Sequence, residues 1–509
     1  MIRGRHLTTL FQRSFSSTAA IFDIPTYHVA IVGTGPAGFY TAHELLQKSP
    51  STDKYRICLD FFEKSPTPYG LSRYGVAPDH PEVKNCEEYL DNIMKKFHRG
   101  DQQEDSHSVR FFGNTEIGRD VSLQELEQRY HSVVLSYGCT SADNKLDIPG
   151  SDLPGVISAR QFVNWYNGHP DYHSQNSTFV PPPLDKIESV TIVGNGNVAL
   201  DVARVLLADP ETRWSNTDIS TTALGMLRQS TVKKVQIVAR RGLLESSFSN
   251  KEIRELLELS NDKLRFIPID ENILEPIRPI AKKLGRIEKR RFSLLEKYSK
   301  LSESKENESF SKSWTLKYLR TPLEIIKSES NDRLVSEMKV GVNAIEDSKI
   351  KSTSEVESIK NDLIILSIGY QGAPLQEFKD LGICFNRNKI LNKEGRILTT
   401  KESEVVLPGW YTSGWIKNGP KGVIATTMME SFETADCVIE DLSRDVFTRG
   451  DVNDKVGIDD KLLKKSVTWD QWVHINNRER ELGEKTGKID SRTKLESIES
   501  LLEVARQQQ

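Results

Sequence analysis

Cysteine is scarce in this sequence. Cys58, Cys86, Cys139, Cys384 and Cys437 are the only five in 509 residues, and none forms a Cys-x-x-Cys pair. That excludes a readable redox dithiol, iron–sulfur cluster or zinc site, and the thiols are expected to behave as small buried hydrophobes. A basic excess is also missing: the formal charge is −3, which argues against a nucleic-acid partner. No apolar run approaches the ~18 residues needed to span a bilayer. Acidic residues are absent from the first 22 positions, "MIRGRHLTTLFQRSFSSTAAIF", where Arg3, Arg5 and Arg13 stand among serines and threonines. A basic, hydroxyl-rich and acid-free start fits a mitochondrial presequence over 1–22, and "RSFSS" suggests processing after Phe15.

What remains is a globular composition, 37% hydrophobic and 28% charged, in a chain too long for one ordinary core. Two or more domains are expected. In "YHVAIVGTGPAGFYTAHELL" an apolar strand runs into Gly33-x-Gly35-x-x-Gly38 and then a helical pattern. Such glycines permit a tight turn, close approach to a pyrophosphate and close helix–strand packing, while the helix N-terminus offers amide N–H groups to phosphate. The next apolar strand, "YRICLDFFE", ends at Glu63, placed for an adenosine ribose. This unit is expected to bind FAD.

The pattern recurs in "SVTIVGNGNVALDVARVLL", as Gly194-x-Gly196-x-x-Ala199. Here the following strand ends in Arg240 and Arg241 rather than an acid. Paired guanidiniums suit a 2′-phosphate, so the second unit is expected to take NADPH. A nicotinamide site beside a flavin site implies hydride transfer.

Further on, "GWYTSGWIKNGPKGVIATTMM" reads as a short buried strand followed by a helix beginning at Gly422, whose positive end would face the flavin. The reading is therefore an α/β protein with two Rossmann-like domains, the NADPH domain inserted into a discontinuous FAD domain. The expected boundaries are 25–143 and 372–509 for FAD and 144–371 for NADPH. Polar stretches at 301–312 and 346–358 are expected as surface loops. "YGLSRYGVAPDHPEVKN", residues 69–85, reads as an irregular but rigid loop stiffened by Pro78 and Pro81.

Taken with "VGTGPAGFYTA", "GNGNVALDVAR", "LGMLRQS", "ARRG" and "GEKTGKID", that loop resembles the NADPH:adrenodoxin oxidoreductase family over nearly the whole chain. The resemblance implies FAD contacts at Ala37, Glu63, Leu71, Ile117, Trp415, Gly422, Val423 and Ile424. It implies NADPH contacts at Asn195, Gly196, Asn197, Val198, Arg240, Arg241, Glu252 and Gly422. It places His80 near Asp201 at the junction of the two domains, as a pair coupled to flavin reduction or as a structural hydrogen bond. It also implies that Arg254, Arg286, Arg290 and Arg291 dock an acidic [2Fe–2S] ferredoxin, which receives electrons singly. The implied location is the mitochondrial matrix, with peripheral attachment to the inner membrane left open. Two other readings make different demands on the sequence. A flavin reductase of the glutamate-synthase small-subunit type would need N-terminal cysteine clusters, which are missing, and a nucleotide-sensing protein would hold flavin that NADPH does not bleach.

Overall fold

The computed structural model describes residues 24–507, apart from 50–53, 99–106, 140–141, 176, 260–263, 306–307, 347–348, 401–403, 445–455, 460–461, 463 and 489–490. The presequence expected at 1–22, with its processing site after Phe15, lies outside the described residues.

Each glycine turn opens from a strand of its own parallel sheet. The first sheet runs in the order Asn392–Lys393, Arg396–Leu398, Val406–Thr412, Ser132–Leu135, Thr26–Val32, Arg56–Phe62, Ser108–Phe112. Its last five strands are parallel, and the first two add an antiparallel edge. The second sheet is wholly parallel, in the order Val156–Ser158, Leu363–Leu366, Ser189–Val193, Lys234–Val238, Lys312–Lys317, Leu264–Phe266. A central parallel strand is covered on both faces, which is why its sequence is apolar throughout rather than alternating. In Thr26–Val32, Val29 and Ile31 pack with Phe39 and Leu45 on one face. Ala30 and Val32 pack with Leu123 and Leu135 on the other.

Strands from both ends of the chain build the first sheet, and the second is made entirely from the segment between them. This is the discontinuous, inserted α/β architecture expected from the sequence. The chain crosses between the sheets at Ala142–Asp143 and again at Tyr370–Gln371, and these two short strands pair antiparallel.

Three local expectations need correction. Of the stretch expected as a loop over 346–358, the part from 349 onward is instead a strand: Lys349–Lys360 is the edge of a three-stranded antiparallel sheet with Val335–Glu346 and Arg320–Lys327. Its polar composition reflects exposure on both faces, while its neighbour satisfies the backbone. The 301–312 segment begins as the last turn of the Arg286–Glu303 helix and ends in the Lys312–Lys317 strand. Residues 69–85 contain two one-turn helices, Leu71–Tyr74 and Pro81–Lys84, the second started by a proline whose missing N–H costs nothing there.

Candidate active site between two glycine turns

The Thr26–Val32 strand enters a turn that side chains cannot follow. Gly33 has φ +98°, and a Cβ on it would lie 2.8 Å from the Ser136 carbonyl oxygen. On Gly38 it would lie 2.0 Å from the Gly33 oxygen. Gly35 is the contrast, because nothing lies within 4 Å of its Cβ position. It is also the N-cap of the Pro36–Lys48 helix, and no side chain caps that end. Free amides therefore face open space at the positive end of a helix dipole, a cradle that fits a pyrophosphate. Glu63 Oε2 accepts from the Thr34 N–H at 3.0 Å and the Thr34 hydroxyl at 2.8 Å, and Oε1 accepts from the Ser65 N–H at 3.1 Å. These bonds orient the carboxylate beside the turn and leave acceptor capacity for ribose hydroxyls.

The loop from Tyr69 folds directly onto this turn. The Tyr69 N–H donates to the Thr34 oxygen at 3.1 Å, and a Cβ on Gly70 would lie 3.3 Å from the Gly35 Cα. Tyr69 and Gly70 both have positive φ, 81° and 51°, which bends the chain back toward the glycines. Tyr69 is held in that conformation by its hydroxyl bond to Asp91 and by edge-on packing against Trp472. Leu71, half-buried, follows at the head of its one-turn helix.

A third segment closes on the same turn. A Cβ on Gly414 would lie 2.3 Å from the Ala37 Cβ, so the chain entering Trp415 rests on the Pro36–Lys48 helix. The Trp415 ring stacks on Tyr370 with centroids 5.6 Å apart, and Ile117 is buried in the same cluster. Gly422 has φ +88° and leads into Val423, the exposed N-cap of the Ile424–Ser443 helix, which also lacks a side-chain cap. The helix proper starts at Ile424 rather than Gly422, because Gly422 takes a left-handed turn that no helix continues. Ser413 joins the two uncapped helices, bonding Thr41 at 2.9 Å and Ser431 at 3.1 Å.

The second glycine turn repeats the first. A Cβ on Gly194 (φ +121°) would lie 2.1 Å from the Ser367 oxygen, whereas that of Gly196 meets nothing within 4 Å. Gly196 caps the Asn197–Leu207 helix without side-chain help, and Ala199 fills the third position fully buried. Asn197 Oδ1 accepts the Ser249 N–H at 2.8 Å, Asn195 donates to the Ser246 hydroxyl at 3.4 Å, and Val198 packs on the core. Arg240 and Arg241 follow the Lys234–Val238 strand. Both are exposed, and among the described residues neither guanidinium has an ion-pair partner.

Between the two turns lies a buried ionic hub that sequence reasoning only partly found. His80, Asp201 and Glu252 come together, with candidate ligand atoms within 4.8 Å of one another. The charge at their centre belongs to Arg204, which is fully buried. Arg204 donates to Asp79 at 2.8 and 3.0 Å, to Asp201 at 2.9 Å and to Glu252 at 3.5 Å. His80 Nε2 lies 2.6 Å from Glu255 Oε2 and 3.3 Å from the guanidinium. Burial pushes the Asp201 carboxyl up to about 7, helped by Glu252 and opposed by Arg204. Burial also works against the charge of Asp79, but its bonds to Arg204 hold it below the ordinary carboxylate range. Two acids on one guanidinium are thus driven apart. Asp79, Arg204 and Glu255 were not singled out from sequence. The available signal was the spacing of Asp201 and Arg204, which puts both on one face of a helix that begins at a nucleotide turn.

The basic stripe divides. Arg254, Arg286 and Arg290 are exposed. Arg291 is not: it is buried, donating to the Ser246 oxygen at 2.7 Å, the Phe248 oxygen at 3.0 Å and the Leu244 oxygen at 3.4 Å. Those three carbonyls lie in the turn between the Arg240–Arg241 pair and the Asn250–Glu258 helix, and burying the guanidinium there removes Arg291 from any docking surface. The five cysteines are free, Cys139 and Cys437 buried and the other three half-buried. Among the described residues no helix is long and apolar enough to cross a membrane.

Comparison with known proteins agrees with this arrangement. A family profile described as pyridine nucleotide-disulphide oxidoreductase matches residues 27–264. The "Probable NADPH:adrenodoxin oxidoreductase, mitochondrial" of Saccharomyces cerevisiae is 41% identical over 91% of this chain and 94% of its own length. The human "NADPH:adrenodoxin oxidoreductase, mitochondrial" is 38% identical over 91% and 89%. Among solved structures, "Mycobacterium tuberculosis FprA in complex with NADPH" superposes with a TM-score of 0.79 at 33% identity, covering 94% of this chain and all of that one. By sequence and by fold, the chain belongs to the NADPH:adrenodoxin oxidoreductase family.

Proposed function

We propose that this protein is an FAD-containing NADPH:ferredoxin oxidoreductase of the mitochondrion. The observation that carries the reading is the pairing of two open glycine turns whose following strands end differently, one in Glu63 and the other in the exposed Arg240 and Arg241. Residues 25–143 and 372–509 form the FAD domain and residues 144–371 the NADPH domain. When bound, FAD supplies an acceptor for the hydride of NADPH and a store from which electrons leave one at a time.

The chain's own residues bind, orient and shield. Amides around Gly35 and Ala37 hold the FAD pyrophosphate, and Glu63 accepts from its ribose. Leu71, Ile117 and Trp415 wall the flavin, and the uncapped amides at Val423 and Ile424 stabilise negative charge on its ring. Asn195 to Val198 receive the NADPH pyrophosphate, and Arg240 and Arg241 its 2′-phosphate. Gly422, with no side chain, leaves room for the nicotinamide. Glu252, His80 and Asp201 gather beside the second glycine turn's helix, and Asp201 can hold a proton near neutrality. The main contribution to rate is alignment of two bound rings in place of a bimolecular encounter.

Arg254, Arg286 and Arg290 form the surface that steers an acidic [2Fe–2S] ferredoxin. The working compartment is the matrix. The decisive assay is NADPH-driven reduction of cytochrome c with and without a mitochondrial [2Fe–2S] ferredoxin. A large ferredoxin-dependent rate supports the reading; flavin bleaching without ferredoxin-dependent transfer overturns the choice of partner. Arg240→Ala or Arg241→Ala alone should weaken NADPH roughly tenfold to a hundredfold and leave NADH unchanged, since one charge-assisted bond contributes about 1.5–3 kcal/mol. Equal losses for both nucleotides would sink the 2′-phosphate assignment.

A further inference from the structure

Lys494 is a lysine with almost no access to water, 4% exposed, in the segment between the Trp469–Lys485 and Ile498–Arg506 helices. Its ammonium has three acceptors. It donates to the Asn167 oxygen at 2.9 Å and the Arg73 oxygen at 3.2 Å, and it pairs with Asp218 at 3.0 Å. Arg73 belongs to the loop that folds onto the first glycine turn, whereas Asn167 and Asp218 belong to the unit built on the second sheet. One buried cation thus joins three separate stretches of chain.

The surroundings reinforce the same junction. Asp218 also accepts from Lys84, at 2.6 and 2.7 Å, and Lys84 lies at the far end of the same loop. Asn167 returns a bond from its side-chain amide to the Tyr74 oxygen at 3.1 Å. Glu479 is fully buried, grips the Arg73 guanidinium at 2.6 and 2.8 Å, and accepts the Leu495 N–H at 2.9 Å beside Lys494. Glu496 reaches the second unit through the Thr221 N–H and the Thr222 hydroxyl, both at 2.6 Å. Lys494 has one acid partner, Asp218, and adds two backbone carbonyls taken from both sides of the junction, an arrangement that fixes a distance.

We propose that Lys494 is a positioning residue for hydride transfer: it locks the second-sheet unit to the loop that walls the first glycine turn, and so sets how closely two bound nucleotides approach. The proposal rests on the functional reading above. Reaction rate falls steeply when aligned groups shift by about 1 Å, whereas the phosphates that anchor each nucleotide are held within one unit, so affinity should change little.

The test uses FAD-loaded Lys494→Met, which keeps the stem and removes the cation, with Asp218→Asn as a milder second variant in case the first fails to fold. Glu211→Gln, in an exposed ion pair confined to the second unit, is the control. Expected for the first two variants is a roughly tenfold or greater fall in the rate of NADPH-driven flavin bleaching, on the scale set by misalignment. NADPH affinity should change little, bleaching by dithionite should be unchanged, and amide hydrogen exchange should quicken at 70–75 and 215–222. The control should match the parent in every readout. A parent rate in both variants overturns the positioning role, as does loss of NADPH affinity equal to the loss of rate. Failure of the parent itself to bleach with NADPH would instead overturn the functional reading.

Discussion

Arg204 and Asp79 form a two-pronged ion pair, at 2.8 and 3.0 Å, between a helix of the second unit and a loop of the first. The guanidinium has no solvent access and also faces Asp201, Glu252 and Glu255. Replacing it by methionine leaves four acids balanced only by His80 and, at the rim, by Arg213 on Asp79 and Lys251 on Glu255. Removing one partner of a buried pair costs about 3–5 kcal/mol, so Arg204→Met should unfold at markedly lower denaturant concentration than the parent. An unchanged midpoint would mean that the hub is ornamental.

Asp201 gives stability a pH dependence of definite sign. Its folded-state value, pushed up to about 7 chiefly by burial, lies above the ordinary 3.8, so the folded state holds a proton that the unfolded state releases. From about pH 4 to 7 the unfolded chain ionises this group while the folded state keeps the proton, so the parent loses stability progressively across that window and levels off above it. Asp201→Asn should therefore gain stability relative to the parent between about pH 4 and 7. Unfolding curves across that range check it, and a flat difference would exclude titration of Asp201.

Gly35 and Gly38 separate binding from folding. Alanine at Gly38 drives a methyl group into the Gly33 oxygen and should abolish folded protein. Alanine at Gly35 meets no atom, and with φ −72° it incurs no backbone strain. The Gly35→Ala protein should fold with a near-parental melting temperature yet retain much less flavin through purification, because its methyl group occupies the space in front of the helix amides. Full flavin content in Gly35→Ala would move the pyrophosphate elsewhere.

Adjacent arginines should behave as opposites. Arg290→Ala should slow ferredoxin-dependent turnover, most at low ionic strength, with stability within about 0.5 kcal/mol of the parent. Arg291→Ala strands three backbone carbonyls in the interior and should destabilise the fold by about 2–4 kcal/mol. The pair of unfolding curves, with turnover measured against salt, distinguishes the two roles.

Features of this molecule that repeat at short range could be read from the sequence. Both strand–turn–helix units, the change from Glu63 to Arg240 and Arg241, and the order of sheets are local patterns with one physical reading. Arg291 was misassigned because sequence adjacency says nothing about which side of a helix faces the core; Phe292 and Leu295 carry that information, and they bury the Arg291 side with them. The 349–358 strand was missed because both its faces are exposed, so no apolar alternation marks the hairpin it forms with the strand before it. Arg204 and Lys494 escape notice for a different reason. A buried cation acquires meaning only from acids supplied elsewhere, Asp79 in one case and Asp218 in the other.

The paired strands Ala142–Asp143 and Tyr370–Gln371 carry a consequence for engineering. Where the chain leaves the first sheet and where it comes back are neighbours across a single ladder, about 5 Å apart. A segment whose two ends meet in this way is an insertion that leaves the strand order of the host sheet intact. What any exchange of it would have to rebuild is the set of buried ion pairs that cross to the host, Arg204 with Asp79 and Asp218 with Lys84 and Lys494.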